Sequence, residues 1–74
     1  MREIERVCGE VKSISIENRR LCITVRDLFG LRKCWVTTRS SMVSNLCVGD
    51  RVVLHGILKP KTILDVNIKT CIRL

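Results

Sequence analysis

The sequence predicts an all-β domain: a small five-stranded barrel with a short helix between the third and fourth strands. Three observations lead there. Apolar and polar residues alternate over segments of strand length, turn-forming residues separate those segments, and one stretch after the third segment lacks alternation.

The first strand is read over residues 7–16, "VCGEVKSISI", and ends at the polar "ENRR", residues 17–20. The second is read over residues 21–25, where Leu21, Ile23 and Val25 share one face. The turn "DLFG", residues 27–30, begins with an Asp that can bond the backbone ahead of it and ends with a Gly, and a third strand follows. Residues 39–50, "RSSMVSNLCVGD", do not alternate. Their serines can cap a helix, and Met42, Val43 and Leu46 fall at helical spacing. The β-branched run "DRVVLHGIL", residues 50–58, is the fourth strand. "KPK", residues 59–61, holds the single proline and breaks the chain before the fifth strand, residues 62–72. There Leu64, Val66 and Ile68 share one face, and Ile63, Asp65, Asn67 and Lys69 the other. A chain of 74 residues has room for one core, and closing the sheet is the way a domain this small avoids exposed edges.

The "DLFG" turn also predicts a register. With Asp27 opposite Gly30, Leu21 faces Val36, Ile23 faces Cys34 and Val25 faces Arg32, a mostly apolar set that reads as interior. The opposite face then pairs Arg20 with Thr37, Cys22 with Trp35 and Thr24 with Lys33. A slip of one residue would exchange the two faces. The expected inward set is Leu21, Ile23, Val25, Val36, Val52, Leu54, Val66 and Ile68.

The formal net charge is +7, from 14 Lys and Arg against 7 Asp and Glu. Residues 1–39 hold nine basic and five acidic groups, and residues 40–74 five and two, so the body of the domain is basic. Such a body attracts polyanions. No apolar run approaches the roughly 20 residues of a membrane span. The N-terminal "MREIERVCGE" lacks a signal-peptide core, which predicts an intracellular protein of cytoplasm or nucleus with no membrane partner. The five cysteines are 14, 12, 13 and 24 residues apart in turn, too far for a Cys-x-x-Cys knuckle. Their odd number argues against a complete disulfide set, so buried free thiols and no metal are expected. No phosphate-loop, dinucleotide or nucleophile-elbow motif occurs, and neither an enzyme nor a cofactor is expected. His55 alternates outward from the fourth strand with no partner spacing for a triad or metal. Asp27 and Asp50 read as turn residues.

"GEVKSI" (Gly9, Val11, Ile14), "VRDLFG" (Val25, Asp27, Gly30) and "VGDRVVLHGIL" (Gly49, Asp50, Val52, Leu54, Gly56) together resemble the OB domains of the anticodon-binding and replication-protein-A-like kind. The resemblance runs from about residue 7 to residue 72. It implies a first-strand glycine that lets the barrel coil sharply, and a Gly-Asp pair before strand four. It also implies a binding face on strands two and three, flanked by the loops joining strands one to two and four to five. Carried onto this sequence, that face holds Arg20, Thr24, Arg26, Lys33, Trp35 and Thr37, with Asn18 and Arg19 on one flank and Lys59 and Lys61 on the other. Basic groups would follow phosphates and Trp35 would stack a base. The implied partner is single-stranded nucleic acid. DNA and RNA are both compatible, because the 2′-hydroxyl contacts that separate them leave no mark on composition. Phe29, in the turn, is expected to cover one end of the barrel. With aromatic residues at only 3%, the stacking surface is poor, which keeps a second reading open. That reading is a protein-interaction OB subunit of a replication- or telomere-type complex, with Phe29, Leu31, Val53 and Ile63 as its apolar surface. A third is an RNA-binding translation accessory of the S1 type, which "VGDRV" also resembles.

Overall fold

A computed structural model describes residues 4–38, 40–58 and 65–74, with the Met42 side chain outside that set. The chain forms β1 (Ile4–Glu17), β2 (Arg20–Asp27), β3 (Gly30–Thr37), β4 (Arg51–Leu58) and β5 (Val66–Arg73). They close in the order β1-β2-β3-β5-β4. All pairings are antiparallel except β3 with β5, which is parallel and two residues long, Cys34 with Val66 and Trp35 with Asn67. This is the thinnest seam of the barrel.

The strands start and stop where turn chemistry requires. β1 and β2 are joined by two residues, Asn18 and Arg19, at φ of 50° and 62°. Positive φ at both central positions is the type I′ form of a two-residue hairpin, which matches the twist of its strands. Asn tolerates this; Arg does so at a cost. Arg19→Gly is therefore expected to raise stability by about 0.5–1 kcal/mol, the relieved left-handed strain outweighing the added freedom of the unfolded chain. Urea unfolding checks it, and a lower midpoint would show that the Arg19 side chain contributes more than its backbone costs. At the β2–β3 turn, Phe29 N–H donates to Asp27 Oδ1 at 2.7 Å, and Gly30 takes φ 121°.

The β2–β3 register is the expected one, from Arg20 opposite Thr37 to Asp27 opposite Gly30. Ile23, Val25, Val36, Val52, Leu54, Val66 and Ile68 are buried with Val7, Val11 and Cys34, and Leu21 is half-buried against them. β1 serves two neighbours. Its first half pairs with β4 and its second half with β2, and the exchange falls at Glu10, which is opposite both Arg51 and Arg26.

Two expectations are corrected. The helix before β4 is a single 3₁₀ turn, Ser41–Val43. Ser44 N–H donates to the Ser41 carbonyl and Leu46 N–H to that of Val43, so the segment winds with three-residue bonds. The spacing of Val43 and Leu46 still serves packing, since Val43 is buried and Leu46 lies against the core. Phe29 does not cover a barrel end; it is 89% exposed. The interior position near that turn is taken by Arg32, which is 6% exposed and paired with Asp27 at 3.3 Å and Glu5 at 3.7 Å. A buried guanidinium must be paired, and the Asp of the turn does this while also holding the Phe29 amide. Asp50 is likewise a turn residue: its Oδ2 accepts from Cys47 N–H at 2.9 Å.

Candidate nucleic-acid interface

Because β2 and β3 pair in the expected register, Arg20, Thr24 and Arg26 share the outer face with Lys33, Trp35 and Thr37. Arg26, Lys33 and Thr37 are exposed; Arg20, Thr24 and Trp35 are half-buried; Arg19 is exposed at the hairpin tip. Lys59 and Lys61 lie outside the described residues.

Trp35 is fixed on this face by β5. The parallel seam sets Asn67 beside it, with Asp65 just ahead in the chain. The indole Nε1–H donates to Asp65 Oδ2 at 3.2 Å. The Arg20 guanidinium lies over the ring, 5.5 Å from its centroid, and Arg20 Nη2 donates to Asn67 Oδ1 at 2.6 Å. Ring and guanidinium thus form one stacked unit, held at its edges by Asn67 of β5 and by Asp65 just before that strand, and presenting positive charge. It borders an open groove of about 440 Å³ with Thr37, Ser40, Asn67 and Lys69.

Asn67, Lys69 and Ser40 were not among the residues that sequence reasoning placed at the site. Alternation does put Asn67 and Lys69 on one face of β5, but no turn joins β3 to β5, so their meeting with Trp35 has no local signal. The expected set is also divided. Arg20, Trp35 and Thr37 line the first groove. Arg26 lines another, of about 350 Å³, with Glu10, Lys12, Leu28 and Arg51. Thr24 and Lys33 form the rung that separates the two ends of the β2–β3 face.

The two buried thiols beneath this surface, Cys22 and Cys34, are held in the unreactive protonated form. All five cysteines are free. Cys22, opposite Trp35, is buried although its position faces outward, and that burial pushes its thiol up, with Glu17 adding to the effect. Burial pushes the interior Cys34 thiol up to about 12, against the opposing pull of Arg32, so it stays protonated at neutral pH. Among the described residues no three His, Cys, Asp or Glu side chains converge as a metal cage.

No family model matches the chain, and neither does any curated protein. Among solved structures it is similar to the mitochondrial single-stranded DNA binding protein of S. cerevisiae, with a TM-score of 0.78 over 100% of this chain and 96% of that one. Identity between the two is 12%, so what they share is the fold, a five-stranded barrel of the OB type.

Proposed function

We propose that this chain is a non-catalytic module that binds single-stranded nucleic acid along the outer face of β2 and β3. The observation that carries the reading is the Trp35 groove. An aromatic ring, the Arg20 guanidinium, Lys69 and the polar side chains of Thr37 and Asn67 border one open channel. That is the mixture a single strand calls for, with flat surfaces for bases and cations for phosphates. The fold shared with a single-stranded DNA binding protein supports it, as does the net charge of +7. Arg19 and Lys33 add charge on either side of the groove, and Thr24 lies on the rung with Lys33. Arg26 extends the basic surface along β2 away from it. Lys59 and Lys61, which the family resemblance names as a flank of the site, are further candidates for phosphate contact.

A salt-series titration against labelled single-stranded DNA, single-stranded RNA and duplex tests the proposal. Three or four phosphate contacts at roughly −0.7 each give a log–log slope of about −2 to −3 for the single strands. Lys33→Ala is expected to lower that slope by somewhat under one unit and leave base preference unchanged. Duplex bound as tightly as single strand would overturn the reading, since stacking on Trp35 requires unpaired bases.

A second reading has its own observation. Leu28 is 97% exposed, Phe29 89% and Leu31 59%, all on the β2–β3 hairpin. An apolar tip of this kind suits a protein partner in a larger assembly. Binding there leaves the Trp35 groove open, so the two roles are compatible on one barrel.

A further inference from the structure

We infer that the groove between β1, β2 and β4, at the opposite end of β2 from Trp35, is a phosphate site formed by Lys12, Arg26 and Arg51. If the single-strand reading above holds, the phosphates are those of the same strand; the site itself rests on its own geometry.

The register builds it. Glu10 is opposite Arg26 on one side and Arg51 on the other, and all three alternate with inward residues: Val25, Val11 and Val52. They form one row across the outer face of three strands. Lys12 occupies the β-bulge between Val11 and Ser13, where the ladder with β2 shifts. Bulges re-aim side chains, and here the Lys12 ammonium reaches back to Glu10 Oε2 at 2.8 Å. Three cations therefore surround one carboxylate. The Lys12 hydrogen bond holds the Glu10 carboxyl below its ordinary range, and Arg51 and Arg26 lower it further from a distance. One carboxylate cannot neutralise three cations. The outer row of Glu10, Lys12, Arg26 and Arg51 keeps an excess of two positive charges beside an open volume of about 350 Å³.

A purely structural charge row would need a second acid, and none of the residues lining this groove supplies one on the outer face. The remaining acid there, Asp27, is committed to the buried Arg32 and the Phe29 amide. The strand rise of about 3.3 Å per residue puts Arg20 and Arg26 roughly 20 Å apart along β2. Several extended nucleotides cover that span, with Thr24 and Lys33 beneath them.

The test uses two probes on the full chain: inorganic tripolyphosphate, followed by amide chemical shifts, and an oligothymidylate long enough to reach both grooves. Tripolyphosphate is expected to shift the amides of Gly9, Glu10, Lys12, Arg26 and Arg51 saturably, in the native protein and in Trp35→Leu alike. Arg51→Gln should abolish those shifts and reduce the oligonucleotide salt slope by about 0.7. Glu10→Gln, which removes the internal counter-ion, should tighten both ligands several-fold. If Arg51→Gln removes tripolyphosphate binding but leaves the oligonucleotide unaffected, the site stands and its ligand is a free polyphosphate. If the native protein binds no oligonucleotide, the single-strand reading falls while the tripolyphosphate shifts still decide the site. Shifts spread evenly over surface lysines and arginines, or an Arg51→Gln protein that binds both probes as before, overturn the inference.

Discussion

Gly9→Ala is expected to leave the chain largely unfolded. Gly9 sits one residue before β1 exchanges β4 for β2, opposite Val52 and just ahead of the Glu10 position shared by Arg51 and Arg26. To serve both neighbours the strand coils so tightly that its backbone lies against the end of β2. A Cβ built on Gly9 meets the carbonyl oxygen of Arg26 inside any permissible contact, with the Arg26 carbonyl carbon and the Asp27 Cα close behind. Every one of these is a backbone atom, so no side chain can rotate away. Relief requires β1 and β2 to separate where Val11 pairs with Val25 and where Asp27 holds Arg32. The first is core and the second a buried ion pair. The cost is expected to be about 4–5 kcal/mol, the upper end for a single substitution, and for a domain of this size that approaches the whole folding free energy. Circular dichroism and urea unfolding read it directly. Ser13→Ala, at an exposed position on the same strand, provides the comparison and should stay within about 0.5 kcal/mol of the native chain. A Gly9→Ala protein that melts within a degree or two of the native one would mean that β1 does not coil as described.

What the sequence disclosed, and what it withheld, follows the range over which each feature is determined. The β2–β3 register was legible because a tight turn ties the strands together and Leu21, Ile23 and Val25 alternate on one side of it. The outward placement of Trp35 followed from that register alone. The β3–β5 seam was not legible: it is parallel, two residues long and joined by no turn, so Asp65 and Asn67 could not be assigned to Trp35 from their positions in the chain. Phe29 misled because an apolar ring beside a barrel end is ordinarily buried. The space was filled instead by Arg32, an inward charge that becomes tolerable only once Glu5 and Asp27 are beside it. The bulge at Lys12 breaks the period of two without a glycine or proline at the bulged residue to announce it, whereas the irregularity between His55 and Gly56 falls at a strand glycine. Arg26 was assigned to the right face, but the neighbour that draws it toward Arg51 is β1, and that depends on where β1 changes partners.

Trp35→Ala is expected to weaken single-strand binding by about 1–3 kcal/mol, roughly 5- to 150-fold in Kd, while leaving the salt slope nearly intact. The loss is a base stack, which carries no counterion, so affinity falls without a change in the number of phosphates neutralised. The ring also has a structural share. It receives Arg20 on its face, donates to Asp65 and stands at one of the two paired positions of the β3–β5 seam. Some destabilisation is therefore expected, and binding must be expressed per folded molecule. Two further variants separate the contributions. Trp35→Phe keeps a flat ring but removes the N–H to Asp65; Trp35→Leu keeps apolar bulk and removes the ring. If the ring stacks a base, affinity per folded molecule should fall in the order Trp, Phe, Leu, with most of the loss between Phe and Leu. If the ring only clamps the seam, Phe and Leu should lose stability together, since neither can reach Asp65, and both should bind as the native protein does. That second pattern would remove Trp35 from the interface and leave Arg20, Lys33 and Lys69 to bind phosphates alone, with no preference for unpaired bases.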